Sequence, residues 1–424
     1  MIKLLCRGTK GEDMAKGFNE QIITAIDVGT TKICVLVAKK LDDDSVETIG
    51  VGKAPSDGLS KGVVIDVSKT IYSIRAALKE AQLMAGTPIE SVSVGISGAH
   101  IQSLNSHGVV PIKRGEIKQQ DVVAVLAAAK AIPIPEGQQI LHILPQYFVI
   151  DGRDKVLDPV GMHGIRLEVQ AHIIMGAIAS VQNLVKCCEM AGVAVTDIIL
   201  EQLASAQAVL SEDERKLGVG VVDIGGGTSD LAIYQHERIC YTSVLPVAGN
   251  HFTNDVAIGL CTTLKDAERV KKEYGIACVD VLEKDDFLEV EMVQGDQKQV
   301  VHVSDLVRIL EPRAKEVLSL VHEEIIKRNL QPFITTGLVL TGGGSLLVGL
   351  QELAEKIFDM PVRIGKPKVP FSIPGSLQSP IYATGYGLLM HTIQKRKEEQ
   401  MSDLHGPLIK RVFNQMKTWM IDFF

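Results

Sequence analysis

Paired cysteines, long apolar runs, aromatic side chains and an excess of positive charge are all scarce in this 424-residue chain. Seven cysteines are scattered (Cys6, Cys34, Cys187, Cys188, Cys240, Cys261 and Cys278), with no C-x-x-C pair and no Cys/His cluster of zinc spacing. That excludes a zinc ribbon or finger and reads as reduced thiols. No stretch of about eighteen uncharged apolar residues occurs, so no transmembrane helix is expected. The opening MIKLLCRGTKGEDMAKGFNEQ lacks the apolar core of a secretory signal. Residues 1–13 show no pattern that packs, and a start at Met14 stands as one reading beside a start at Met1. A net charge of -7 gives no global electrostatic case for nucleic-acid binding and leaves only a local basic patch open. Aromatics are 4% of the chain, with a single tryptophan.

What is present is ordinary globular material, 46% hydrophobic and 22% charged, long enough for two to four domains. A weak internal repeat organises it. Residues 22–37 read IITAIDVGTTKICVLV and residues 219–234 read VGVVDIGGGTSDLAIY. Each is an apolar strand ending in Asp, a tight Gly/Thr turn and a second strand, the pattern of a β-hairpin. A repeat on the scale of half the chain is too long for a solenoid and fits two related halves facing each other. Around the hairpins, strand and helix patterns alternate, which predicts an α/β architecture. Ser68 is placed to cap a helix with apolar positions at Ile71, Ile74, Leu78 and Ala81. Residues 395–405, KRKEEQMSDLH, read as a charged linker.

Three glycine-rich turns follow apolar strands: DVGTTK at 27–32, DIGGGTSD at 223–230 and TGGGS at 341–345. Glycines at Gly29, Gly225, Gly226, Gly227, Gly342, Gly343 and Gly344 allow close backbone approach, and successive N–H groups form an anion nest. Thr30, Thr31, Thr228 and Ser345 add hydroxyls, and Lys32 adds a charge to oppose a phosphate. Asp27 and Asp223 precede the two hairpin turns, and two carboxylates near a triphosphate suit a hydrated Mg²⁺. Glu201, at a strand end, is a candidate with Asp223 for the catalytic role of orienting an attacking water. Each turn alone is a plain turn motif; the set in this order points to a nucleotide cleft.

At 100° per residue, Leu408, Ile409, Val412, Phe413, Met416, Trp419, Met420, Phe423 and Phe424 fall within an arc of about 160°. Lys410 and Arg411 lie outside it, and only Ile421 breaks the segregation. A helix with that moment and basic flanks predicts binding in the interface of an anionic membrane; the other reading is a helix docked on its own body or on a partner groove.

The order of these motifs resembles the actin superfamily. The connectors of that superfamily match LEQLASA at 200–206 and YATGYGLL at 382–389, and AERVKKEYG at 267–275 resembles its adenine-side helix. By that resemblance Glu268 and Lys271 are adenosine contacts, against the plainer reading of a solvated charge pair. Longer stretches, among them ISGAHIQSLNSHGVVPI, DPVGMHGIRLEVQAHII, VAGNHFTNDVAIGL and the terminal GPLIKRVF, are similar to the bacterial FtsA cell-division family from about Ile22 onward. The resemblance implies an actin-like (ribonuclease H-like) two-domain fold of four subdomains with an atypical insert in the first half. The divisions it implies are 22–97, 176–214 and 380–395 (subdomain 1A), 98–175 (the inserted 1C), 215–258 and 313–379 (2A), 259–312 (2B), a linker at 396–406 and a membrane helix at 407–424. It further implies ATP and Mg²⁺ as cofactors, self-assembly into filaments and recruitment of later division proteins. The implied place is the cytoplasmic face of the inner membrane at the division septum. The implied partner is the C-terminal tail of the tubulin-like FtsZ, with Arg313 as the residue carried over as a docking contact. Family members vary at the position of Glu201, so nucleotide binding is expected ahead of turnover. A sugar kinase of the superfamily, a chaperone and another actin-like assembly protein are the competing readings; the first lacks a recognisable substrate base here, and the second lacks a large domain after the second connector.

Overall fold

The computed structural model describes residues 22–41, 45–113, 115–293, 297–368 and 374–404. The candidate start at Met14 and the expected membrane helix at 407–424 lie outside the described residues.

Both repeat segments are hairpins, and each sits in a five-stranded sheet. In the first, Ile22–Val28 pairs antiparallel with Lys32–Lys40 and that strand with Val46–Pro55, while Ser91–Ile96 and Ala194–Leu200 extend the other side in parallel. In the second, Val219–Ile224, Ser229–Gln235 and Arg238–Leu245 form the antiparallel meander, and Leu338–Thr341 and Val362–Ile364 are the parallel additions. The order of strands is the same in both sheets, so the weak sequence repeat is a full structural duplication.

The near-continuous apolar runs of the first hairpin follow from burial on both faces. Ile26, Ile33, Val35 and Val37 point to one side, against Ile74, Ala77 and Ala81 of helix Val67–Ala85 and Val181 and Leu184 of helix Ile178–Ala191. Their alternates Ile23, Ala25, Cys34 and Leu36 point to the other, against Ala204 and Ala208 of helix Glu201–Val209 and Leu388 and Leu389 of helix Ala383–Leu404. The first of these helices is capped by Asp66, whose carboxylate accepts from Lys69 N–H at 3.0 Å, and not by Ser68. The helix begins at Val67, directly after Asp66, so Ser68 already lies inside its first turn. The segment expected as a linker is likewise helical as far as Leu404, continuous with the second connector.

The first half carries an inserted unit. Its sheet runs Gln102–Pro111, Arg166–Ala177, Gln138–Ile150 and Lys155–Val156, and helix Gln119–Lys130 covers it through Val122, Val125 and Ala129. This unit leans on the edge strand of the second half: Ser103 Oγ donates to Thr242 O at 2.8 Å, Gln146 Nε2 donates to Ile239 O and Cys240 O, and His172 Nε2 bonds Thr242 Oγ1 at 2.9 Å. His172 is buried, and burial holds its imidazole down at about 4, so it bridges as the neutral ring. A second, smaller unit comprises the two-stranded sheet Phe287–Glu291 and Lys298–His302, packed beside helices Leu264–Tyr274 and Val303–Lys327. Among the described residues, no helix is long and apolar enough to cross a membrane.

Candidate functional site

The duplication aims both hairpin turns into one cleft. Asp27 and Asp223 occupy equivalent positions on the central strands of the two sheets, each just before its turn. The turns meet closely: a Cβ on Gly226 would fall 2.4 Å from Thr31 Cγ2, and one on Gly227 would fall 2.5 Å from Thr30 Oγ1. A side chain at either position would require Thr30 or Thr31 of the other half to move. The third turn closes on the same point. Gly342 has a φ of +80°, and a Cβ there would lie 2.2 Å from Asp223 Oδ1.

The resulting cleft has a volume of about 740 Å³. Gly29, Thr30, Thr31, Lys32, Gly225, Gly226, Gly227, Thr228, Gly342, Gly343 and Gly344 all line it, together with Asp27, Glu201, Asp223, Glu268 and Lys271. Ser345 does not. It is buried and its Oγ donates to Gly342 O at 2.8 Å, so this hydroxyl shapes the turn and faces away from the cleft. Lys32 Nζ donates to Ile381 O at 2.6 Å, which ties the first turn to the second connector. Thr30 Oγ1 accepts from Gly62 N–H at 3.1 Å.

Four carboxylates converge at the cleft floor. Burial pushes Asp27 up, opposed by Lys32. Burial, reinforced by Asp27, pushes Asp223 up to about 6, although Thr384 Oγ1 donates to its Oδ2 at 3.1 Å. Glu201 begins helix Glu201–Val209 and is held well above the usual carboxylate range by burial and by Asp27, Asp230 and Asp223. Asp230 is raised strongly by burial and by Asp223, and Ser97 Oγ reaches both of its oxygens, at 2.9 and 2.8 Å. This crowding of like charge is what a bound divalent cation relieves. Among the described residues, no three His, Cys, Asp or Glu side chains gather as a protein-only metal site. Asp27 and Asp223 would therefore hold a cation together with phosphate oxygens and water, the usual habit of Mg²⁺.

The far end of the cleft is built on helix Leu264–Tyr274. Glu268 accepts from Thr253 Oγ1 at 2.5 Å and pairs with Lys271 at 2.6 Å and Lys272 at 3.0 Å. Burial raises Glu268, but Lys271 and these hydrogen bonds outweigh it and the carboxyl is held low. Lys271 is the more deeply buried partner, and burial holds its ammonium below the usual range despite Glu268. Both residues thus belong to a charge pair and line the cleft. Tyr274, Gly275, Leu346, Leu347 and Val348 supply an adjacent apolar wall suited to a flat ring.

Asp230, Thr253 and Thr384 are site residues that the sequence reading passed over. Asp230 was legible from hairpin register, since it faces Asp223 across the strand pair. Thr384 lies on a helix some 160 positions from its partner and had no local signal. Arg313 lies away from the cleft on helix Val303–Lys327, its guanidinium paired with Asp255.

Comparison with known proteins gives a consistent set of matches. The family model described as "Cell division protein FtsA" matches residues 220–387, and the one described as "SHS2 domain inserted in FTSA" matches residues 98–175. The chain is 42% identical over 416 residues to the cell division protein FtsA of Pseudomonas aeruginosa, covering 96% of this chain and 99% of that protein. It is 36% identical over 414 residues to the Escherichia coli K12 protein of the same name, covering 96% and 97%. Among solved structures, one of the PilM–PilN type IV pilus biogenesis complex superposes with a TM-score of 0.64 at 18% identity, covering 88% of this chain and 98% of that one. MreB5 of Spiroplasma citri bound to ADP superposes with a TM-score of 0.54 at 16% identity, covering 89% and 98%. The fold is the expected actin-like one with its inserted subdomain.

Proposed function

The chain belongs to the FtsA family of cell division proteins, and on that footing we propose that it binds ATP with Mg²⁺ in the central cleft and links the FtsZ ring to the cytoplasmic membrane. The observation that carries the nucleotide reading is the convergence of three glycine turns and two paired aspartates, Asp27 and Asp223, from duplicated halves onto one cleft. In this reading the turns hold the phosphates through backbone N–H groups, Lys32 opposes their charge, and Glu268 and Lys271 meet the nucleoside. Mg²⁺ supplies neutralisation of phosphate charge beside Asp27 and Asp223. In the same reading Glu201, which lines the cleft, orients a water; binding is proposed as the primary property and hydrolysis as slow.

Anchoring rests on the apolar arc of residues 408–424. One helix of this length binds an anionic surface reversibly, with Lys410 and Arg411 beside the headgroups. Filaments of this chain would present many such helices at once, and avidity then holds the assembly on the membrane at the septum. The same filament recruits FtsZ through its C-terminal tail, with Arg313 at the docking face, and then later division proteins.

Co-flotation with anionic liposomes tests this reading, comparing the full chain with one ending at Leu404, each with and without ATP and Mg²⁺. The full chain alone is expected to float, and more of it with ATP. Equal flotation of both chains, or of neither, removes the anchor from the proposal.

A further inference from the structure

All three nitrogens of the Arg313 guanidinium are engaged within the chain, through three of its five N–H donors. Its Nε donates to Asp255 Oδ2 at 2.6 Å and its Nη2 to Asp255 Oδ1 at 3.0 Å, while Nη1 reaches Glu316. The two-pronged pair with Asp255 is about three-quarters buried, with 23% and 26% of the side chains exposed. Fork-on-carboxylate geometry of this kind is the strong form of the interaction. A partner carboxylate that takes the same Nε/Nη2 edge of Arg313 must displace Asp255.

Asp255 lies on helix Gly249–Gly259, and the second phosphate turn sets the start of that helix. Gly249 N–H donates to Gly225 O at 3.0 Å and Asn250 N–H to Gly226 O at 2.8 Å. A Cβ on Gly249 would sit 2.9 Å from Gly225 O, so helix and turn have no slack between them. The same first turn of the helix meets the nucleoside end of the cleft, where Lys271 Nζ donates to Gly249 O at 3.1 Å and to Thr253 Oγ1 at 2.7 Å. Phe252 and Val256 anchor the helix in the core shared with Leu306 and Leu310 of the helix that carries Arg313. Helix Gly249–Gly259 is thus the direct structural link between residues 225–226 and Asp255.

We propose that Asp255 is an internal competitor for Arg313, and that helix Gly249–Gly259 transmits the state of the second phosphate turn to the docking face by tightening or loosening that pair. The partner it fits is a peptide that offers a carboxylate to Arg313. The inference rests on the docking role given to Arg313 above and adds its regulation.

The test measures binding of a fluorescent FtsZ C-terminal tail peptide to the full-length protein by anisotropy, nucleotide-free and with ATP-Mg²⁺. Wild-type affinity is expected to differ at least threefold between the two states. Asp255→Asn is expected to bind about tenfold more tightly than the weaker wild-type state and to show the same affinity in both. Asp255→Glu, which restores a carboxylate, is expected to recover the nucleotide dependence. Because coupling is reciprocal, Asp255→Asn is expected to change nucleotide affinity by the same factor as the wild-type difference in peptide affinity, and Asp255→Glu to restore the wild-type value. Arg313→Ala separates the two claims. If it leaves peptide binding intact, the docking role is wrong. If it abolishes binding while Asp255→Asn behaves as wild type, or if wild type shows no nucleotide dependence, the docking role stands and the relay is overturned.

Discussion

Gly387 packs directly on the backbone of Ala204: a Cβ at position 387 would lie 1.7 Å from the Ala204 carbonyl oxygen. The contact joins the two connecting helices, Glu201–Val209 and Ala383–Leu404, beneath the cleft. Because the obstacle is backbone, no rotamer change relieves it. Gly387→Ala is expected to cost about 3 kcal/mol of stability and to weaken ATP binding, read by thermal unfolding and calorimetry. Ala204→Gly is not expected to rescue it. Gly385→Ala, whose Cβ would press on the movable Leu36 Cδ1 at 2.9 Å, is expected to cost about 1 kcal/mol or less.

The carboxylate floor makes nucleotide-free stability depend on pH. Asp223 titrates at about 6 in the fold against an ordinary 3.8. A raised carboxyl pKa means that the folded state holds its proton more tightly than the unfolded chain does. The contribution is fully present below about pH 4 and is lost as pH rises through about 6, amounting to about 2–3 kcal/mol. Asp223→Asn is therefore expected to raise the melting temperature of the nucleotide-free protein at pH 7.5, to change it little near pH 4, and to abolish stabilisation by ATP-Mg²⁺. An unchanged melting temperature at pH 7.5 would sink the argument.

At the other end of the cleft, Lys271 and Lys272 share Glu268 but differ in exposure, 14% against 69% of the side chain. Lys271→Ala is expected to weaken ATP binding about tenfold while leaving Mg²⁺-pyrophosphate binding unchanged. Lys272→Ala, removing an exposed pair partner, is expected to do little to either. Titration calorimetry with both ligands decides whether the pair serves the nucleoside or only the helix.

Trp419 is the single tryptophan of the chain, so tryptophan emission, excited selectively over the seven tyrosines, reports the tail alone. Anionic vesicles are expected to shift its emission to shorter wavelength, and Phe413→Asp or Met416→Asp to reduce the shift. A shift of equal size in the two variants would point away from membrane insertion.

The sequence made the site legible wherever chemistry was local. Each hairpin carried its own strand pattern, its Asp and its turn, and the structure brings all of these to one cleft. Ser345 misled because a hydroxyl at the end of a glycine turn serves the turn as readily as a ligand, and only the bond to Gly342 distinguishes the two. The repeat also hid an asymmetry. Asp223 faces Asp230 across its hairpin, whereas Asp27 faces Cys34 in the equivalent pair. Only the second hairpin therefore places a second carboxylate in the cleft, and Ser97 from the first half comes to meet it; the first half's extra carboxylate, Glu201, comes from outside its hairpin. Contacts such as Thr384 to Asp223 or Asp255 to Arg313 span large sequence separations and follow from packing alone. The charged residues after Gln394 looked like a linker because their composition is polar all round; continuity with an anchored helix carries them into helical form.

Helix Ala383–Leu404 is also a mechanical element. It starts at the cleft, where Thr384 touches Asp223, and at 1.5 Å per residue its 22 residues extend about 33 Å. The rod is fastened to the first sheet along its way: Thr392 Oγ1 donates to Ser93 Oγ at 2.8 Å, Lys395 Nζ to Asp197 Oδ2 at 2.7 Å and Arg396 Nη1 to Ile22 O at 3.0 Å. It is a strut, and an adjustment at the cleft floor is carried by helix and sheet together.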